Sequence, residues 1–244
     1  MSGPHGTGLQ AGGDREMMDE QNRLDNVYRG RQSLAGRYVR DNAGNRYNTD
    51  FLKRRIQYNL EKLYNRPEKI KMLDLGSGEL FWTRQFIDLG IASSNCIATD
   101  ILDWRLKAGR KEYDEIQAVT ASAFELPFQD GTFDLISQLT MMTSVLDQNL
   151  RRRIAADMIR VLKPGGYLLW YDFRYNNPGN PHTRAIGISE LKELYAPLPL
   201  YSESLTLLPP LARKIGGGGD QILNLLHRLR ILRSHLLAII GPKG

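Results

Sequence analysis

KMLDLGSGELFWTRQFIDLGIASSNCIATD, residues 71–100, passes from a short apolar run into a glycine turn, then a helical stretch and a second short apolar run. Lys71–Leu75 reads as a strand, Glu79–Leu89 as a helix and Asn95–Asp100 as a second strand, and both strands meet an aspartate, Asp74 and Asp100. A strand, a crossover helix and a strand of this length make a parallel pair with its helix packed on the sheet.

The alternation continues outward. A helix near 103–112, a strand near Gln117, a strand at 132–137 and a helix running to Leu162 precede Lys163-Pro164-Gly165-Gly166, read as a stop before the strand 167–173. Pro removes a donor and Gly admits positive φ, so the helix ends there. The tail predicts a helix near 189–196, a strand near 199–206, a flexible Gly216–Gly219 run, a helix at 220–229 and a last strand near 233–240. The expected fold is an α/β, Rossmann-like, seven-stranded sheet, mostly parallel, with helices on both faces and an antiparallel last strand. Upstream, Thr49 or Asp50 is expected to cap a helix carrying Phe51, Leu52, Ile56, Leu60 and Leu63. The organisation predicted is a disordered tail over 1–20, a helical extension over 21–66 and one domain over 67–244.

With 244 residues, 41% hydrophobic and 25% charged, the chain can close one large core. Its one cysteine, Cys96, and four scattered histidines exclude a disulfide framework and a cysteine-rich zinc site, so no metal is expected and the compartment predicted is reducing and cytoplasmic. No apolar run reaches the roughly 20 residues that span a bilayer. The net charge of +6 is mild. Its densest cluster, Arg151-Arg152-Arg153, opens a helix with Leu150, Ile154, Met158, Val161 and Leu162 at core spacing, which predicts arginines on the solvated face and no nucleic-acid partner.

Ligands of open α/β sheets lie beyond the carboxyl ends of the strands. Gly76 and Gly78 let the backbone turn sharply there, and Asp100, 22 residues after Gly78, can accept bonds from both hydroxyls of a ribose. An adenosine-containing cofactor follows. A dinucleotide would lay its pyrophosphate on the first helix N-terminus, and its fingerprint calls for a glycine where Phe81 stands; Glu79 and Asp74 would oppose its charge. A ligand with a sulfonium and an ammonium group suits them.

Four stretches in order resemble the motifs of class I SAM-dependent methyltransferases, in the small-molecule, type 11-like branch: LDLGSGELF, CIATDIL, ELPFQDGTFDLI and IRVLKPGGYLLWYDFR. The likeness covers about 70–175. It implies S-adenosyl-L-methionine as cofactor, with Gly76, Ser77 and Gly78 along its methionine part, Asp74 on its amino group and Asp100 on the ribose. It further implies Ile101 against the adenine, Ser122 and Ala123 at the adenine edge, and Gln138 below the methionine. Leu80 stands where a third glycine is common, and Ser122 where an aspartate is usual.

Methyl transfer needs alignment and exclusion of water, with a base only where the acceptor must lose a proton. Candidate bases are Asp172, at the end of the fifth strand, and His182, in the loop after it, with Tyr171 and Tyr175 as positioners. Tyr175 and Arg184 in the polar loop 173–184 are the expected substrate contacts. The tetrad used on base amino groups is absent after the fourth strand, which continues Ser137-Gln138-Leu139-Thr140, and Cys96 begins a buried strand rather than a nucleophile's pocket. The resemblance therefore implies a small-molecule acceptor, a sugar, quinone or secondary metabolite, with oxygen ahead of nitrogen. An NAD-dependent oxidoreductase and a non-catalytic SAM- or RNA-binding protein stand as alternatives. Residues 21–48 carry Arg23, Arg29, Arg31, Arg37, Arg40 and Arg46 among Tyr28, Tyr38 and Tyr47, which predicts a lid able to meet an acidic or phosphate-bearing acceptor.

Overall fold

The computed structural model describes the backbone of residues 8–32 and 42–244, and side chains over 18–30 and 42–244. The chain divides into two units, one reaching Arg37 and one running from Tyr38 to Gly244. In the first, α1 spans Gly8–Gln32. This corrects the expected disorder over 8–20: after the glycines the segment is made of helix formers, and Arg23–Glu20 (2.6 Å) and Arg29–Asp25 (2.7 Å) pair at helical spacing. Residues 1–7 lie outside the described residues.

In the second unit α2 spans Ala43–Leu63, about two turns longer than expected at its start. Asn42 is the cap, its Oδ1 accepting the N–H groups of Gly44 and Asn45 at 2.9 and 3.2 Å. Thr49 and Asp50 are therefore helix interior, because the apolar stripe continues upstream through buried Tyr47. Of the expected lid, 21–32 is helical in α1, 33–41 lies outside the described residues, and 42–48 is the first two turns of α2.

The sheet follows: β1 (Met72–Leu75), α3 (Phe81–Asp88), β2 (Cys96–Asp100), α4 (Asp103–Arg110), β3 (Gln117–Thr120), β4 (Phe133–Leu139), α5 (Gln148–Val161), β5 (Leu162–Phe173), α6 (Ile188–Tyr195), β6 (Leu200–Leu207), α7 (Pro209–Ile215), α8 (Asp220–His227) and β7 (Arg233–Ile240). The strand order is β3-β2-β1-β4-β5-β7-β6, and only β7 runs against its neighbours. The seven strands and the antiparallel last one are as the sequence predicts. β7 pairs with β6 as a hairpin does, and it also slots between β6 and β5. The stop at 163–166 falls inside β5: Phe133 pairs with Leu162 and Leu135 with Tyr167, so those residues are an excursion within one strand.

Side-chain alternation splits the core between two faces. Leu52, Ile56 and Leu60 of α2 and Phe86 of α3 pack with Met72, Leu135, Leu169, Tyr171, Leu237 and Ile239. Leu106 of α4 covers Ala98 and Ala118 on the same face. The alternate residues of β5, Leu168, Trp170 and Asp172, are fully buried on the other face, which α5 and α6 cover. No helix among the described residues is long and apolar enough to cross a membrane.

Candidate functional site

The carboxyl ends of β1, β2, β4, β5 and β6 lie on one edge. Three residues other than glycine have left-handed backbone among the described residues, and all three stand on that edge: Leu80 (φ 65°) after β1, Thr140 (φ 62°) after β4 and Thr206 (φ 64°) near the end of β6. Such positions each cost about 1–3 kcal/mol and collect at functional sites, where surrounding structure holds them.

The turn after β1 has Gly76 at φ 70° and Gly78 at φ 56°. A Cβ at Gly76 would collide with the Met141 side chain, and one at Gly78 with the Arg105 guanidinium, so these two glycines meet both a conformational and a spatial demand. Asp100 clasps the turn from β2. Its Oδ2 accepts Gly78 N–H and its Oδ1 accepts Leu102 N–H, both at 2.9 Å, and Arg105 Nη1 stands 3.5 Å from Oδ2. Ser77 donates its N–H to Thr99 O at 2.9 Å. Beneath the turn, Asp74 is buried, accepting from Thr83 Oγ1 and Ser137 Oγ at 2.6 Å each. Burial pushes its carboxyl up from the ordinary range, those two hydroxyls oppose the rise and Asp100 adds to it. Asp74 thus ties β1, β4 and α3 together. Ile101 is half-buried beside Asp100, and Ser122 and Ala123 are half-buried after β3, the Ser122 hydroxyl accepting Phe124 N–H at 3.2 Å. Gln138 is fully buried; its Oε1 accepts Met141 and Met142 N–H at 3.1 and 3.2 Å and shapes the turn that lays Met141 on Gly76.

The cofactor residues named from sequence are thus gathered at β1, β2, β3 and β4. The proposed catalytic and substrate residues are not gathered. Asp172 is fully buried under the edge, where its Oδ2 accepts Thr143 N–H (3.0 Å) and its Oδ1 accepts Thr143 Oγ1–H (2.6 Å) and Phe173 N–H (2.9 Å). Burial pushes its pKa up to about 6, opposed by the Thr143 hydroxyl, the Thr143 and Phe173 amides and Arg151. A base must present a lone pair to its substrate, and this carboxylate spends its oxygens on the loop after β4. His182 and the Arg184 side chain are exposed in the loop after β5, as is Tyr175, against which the Arg174 guanidinium lies at 4.4 Å. The Arg184 main chain is what reaches inward, its N–H donating to Thr143 O at 2.8 Å.

Three groups that the sequence reading missed organise the two halves of the edge. Arg151, expected on the solvated face, is fully buried, donating to Val145 O (2.7 Å), Glu190 Oε1 (2.7 Å) and Arg184 O (2.6 Å). Its signal was present: it stands three, four and seven residues before Ile154, Ala155 and Met158, on the apolar stripe itself. Arg105 stands one turn into the helix after Asp100. His235 alternates with Leu237 and Ile239 on the inward face of β7.

A family model described as a methyltransferase domain matches residues 73–170. Over those residues the chain is similar to methyltransferase domains. Its fold recurs in a SAM-dependent methyltransferase from Mesorhizobium loti, with TM-score 0.54 at 16% identity over 75% of this chain and 96% of that one. It recurs also in the methyltransferase solved with the Haloferax volcanii Trm112 activator, with TM-score 0.56 at 18% identity over 83% and 96%. Among curated proteins, the ubiquinone/menaquinone biosynthesis C-methyltransferase UbiE of Idiomarina loihiensis is 36% identical over 110 residues, 43% of each chain. That of Psychromonas ingrahamii is 31% identical over 169 residues, 66% of this chain and 59% of its own. The chain spans about half the length of the curated relatives it matches. The methyl donor of that family is S-adenosylmethionine, and the residues present fit it in their chemistry: a glycine turn with the acids Asp74 and Asp100 suits a ligand that carries cationic and hydroxyl groups.

Proposed function

We propose that the protein transfers a methyl group from S-adenosylmethionine to a ring carbon of a small hydroxylated aromatic acceptor of the quinol class. The observation that carries this reading is the strand edge itself, where a glycine turn clasped by Asp100 stands next to strand ends bearing Tyr171, Phe173 and His235. The relatives' C-methyl chemistry moves the acceptor atom from the expected oxygen to carbon. The bound cofactor supplies a methyl already electrophilic on its sulfonium. Gly76, Ser77 and Gly78 hold its methionine part, Asp100 its ribose, Ile101 and Ala123 its adenine, and Asp74 its ammonium. Met141 and Thr140 wall the methyl off from water. Asp172 and Arg151 are positioning residues, fixing the loop after β4 through Thr143 and Val145. Tyr175 and Arg184 stand at the rim, where an acidic or phosphate-bearing group on the acceptor would meet a guanidinium. The partner is a small molecule rather than a nucleic acid, and the one buried thiol suits a reducing cytoplasm.

The test is transfer from S-adenosylmethionine carrying a labelled methyl to 1,4-naphthalenediol kept reduced, with products read by mass and by the methyl carbon shift. A ring methyl is expected. A methoxy product would move the acceptor atom to oxygen, and no transfer across a panel of quinols together with no S-adenosylmethionine binding would overturn the reading.

A further inference from the structure

The β5–β7–β6 end of the edge holds a buried polar group that neither the cofactor nor the latch around Asp172 uses. His235 pairs with Phe173, the last residue of β5, and with Leu205 of β6. It is 4% exposed. The Tyr171 ring stacks on it, centroids 4.7 Å apart and planes 4° from parallel, and Phe173 lies against it at 4.1 Å. Ser234 Oγ stands 3.2 Å from Thr206 O and 2.8 Å from His235 Nδ1. With the serine proton directed to Thr206 O, its lone pair accepts a proton held on Nδ1 and leaves the lone pair of the ring on Nε2, the tautomer taken below. Thr206 is held in its left-handed conformation beside them, its hydroxyl 2.5 Å from Tyr171 Oη. Strain maintained at the end of a strand, beside a serine that bridges Thr206 O and the imidazole, marks a built site.

We propose that His235 Nε2 accepts a hydrogen bond from a hydroxyl of the aromatic acceptor, whose ring extends the stack begun by Tyr171 and Phe173; this rests on the methyltransferase reading above. In the sheet order the cofactor occupies the β2-β1-β4 half, and an acceptor lying between it and β7 crosses about two strand spacings of 4.8 Å each, the width of a fused two-ring system. The hydrogen bond raises electron density at the ring carbon beside the hydroxyl. That carbon takes the methyl, the C–S bonding pair stays on sulfur, the displaced ring proton leaves to water, and the hydroxyl keeps its own proton in the bond to Nε2. Burial alone pushes the imidazole pKa down to about 3, so the ring stays a neutral acceptor throughout the working range.

Two measurements test it. His235→Phe keeps the stack and loses the nitrogen, and His235→Asn keeps polarity and loses the ring; with 1,4-naphthalenediol as acceptor each is expected to lower kcat/KM 10- to 100-fold while S-adenosylmethionine Kd stays within twofold. Variants that turn over as the unmodified protein does overturn the proposal. An unmodified protein that binds S-adenosylmethionine but methylates no quinol breaks the proposed acceptor class instead. Nitrogen NMR of the unmodified protein reads the site without any variant or turnover: a protonated Nδ1 with Nε2 shifting on addition of 1,4-naphthalenediol to the S-adenosylhomocysteine complex is expected, and a protonated Nε2 overturns the proposal.

Discussion

The two halves of the strand edge are built from different materials. At β1 and β2 the functional atoms belong to the main chain of a glycine turn, and one carboxylate, Asp100, organises them through Gly78 N–H and Leu102 N–H. At β5, β7 and β6 they belong to side chains that reach across the sequence: Arg151 to Arg184 and Glu190, Asp172 to Thr143, and Tyr171 to Thr206. A site made of backbone demands particular residues at fixed spacing, because positive φ and the close approach of Met141 and Arg105 together leave room only for glycine at 76 and 78. A site made of side chains demands only that partners arrive from elsewhere, and many residue types can satisfy that.

Arg151 is where this difference is most easily broken. Removing one member of a buried ion pair leaves uncompensated polar groups and costs about 3–5 kcal/mol. Arg151→Met is expected to lose that much in urea unfolding, with Glu190 and the carbonyls of Val145 and Arg184 left without their donor. A loss under about 1 kcal/mol, the worth of a surface pair, would mean that the acceptor half does not hang on this guanidinium.

Asp172 gives a pH signature. A carboxyl whose folded pKa of about 6 exceeds its ordinary 3.8 binds its proton more tightly folded than unfolded, so its contribution to stability falls as pH rises from about 4 to above 6. The shift corresponds to about 3 kcal/mol. Asp172→Asn removes this dependence whatever constant offset it adds. The stability difference between variant and unmodified protein is expected to move toward the variant by roughly that amount between pH 4 and 7. A flat difference would show Asp172 ionising as a solvated carboxyl does.

On the cofactor half, Asp100→Ala is expected to weaken S-adenosylmethionine binding by about 1.5–3 kcal/mol, the worth of lost charge-assisted hydrogen bonds. Calorimetry reads it. Unchanged affinity in a folded variant would remove Asp100 from the ribose site.

These effects track what the sequence disclosed. The strand order's parallel core, the crossover helices and the antiparallel last strand follow from periodicity and punctuation; the glycine turn, Asp74 and Asp100 follow from spacing, whereas Ser77, Ile101, Ser122, Ala123 and Gln138 came only from the family resemblance. The insertion of β7 between β5 and β6 leaves no local trace, since either neighbour satisfies the same alternating pattern. The start of α2 was read too late because Asn42 caps it from beyond a stretch that looks polar, while Tyr47 and Asn48 find their burial only against residues near 207 and 224. Arg151 was assigned to solvent by charge alone, although its place on the apolar stripe of α5 argued otherwise. His235 had the weakest signal, a single polar ring in an alternating apolar strand, and its partners Ser234 and Thr206 acquire meaning only once β6 and β7 are paired.

The smallest expected effect contrasts two histidines. His182, a candidate base by its place in the loop after β5, is exposed, and its backbone N–H, directed to Asn180 Oδ1 at 3.3 Å, takes part in a turn that any residue could complete. Asn180, Pro178 and Gly179 around it are turn builders, which accounts for the loop's composition without a ligand. His182→Ala is expected to leave stability within about 0.5 kcal/mol, as surface substitutions do. Its kcat is expected to stay within twofold, where loss of general base catalysis would cost about a hundredfold or more. Measured beside His235→Phe under the same conditions, it separates a loop that merely turns from a strand end that meets the acceptor. A hundredfold fall in kcat for His182→Ala with His235→Phe unaffected would reverse the assignment and place the chemistry on the loop.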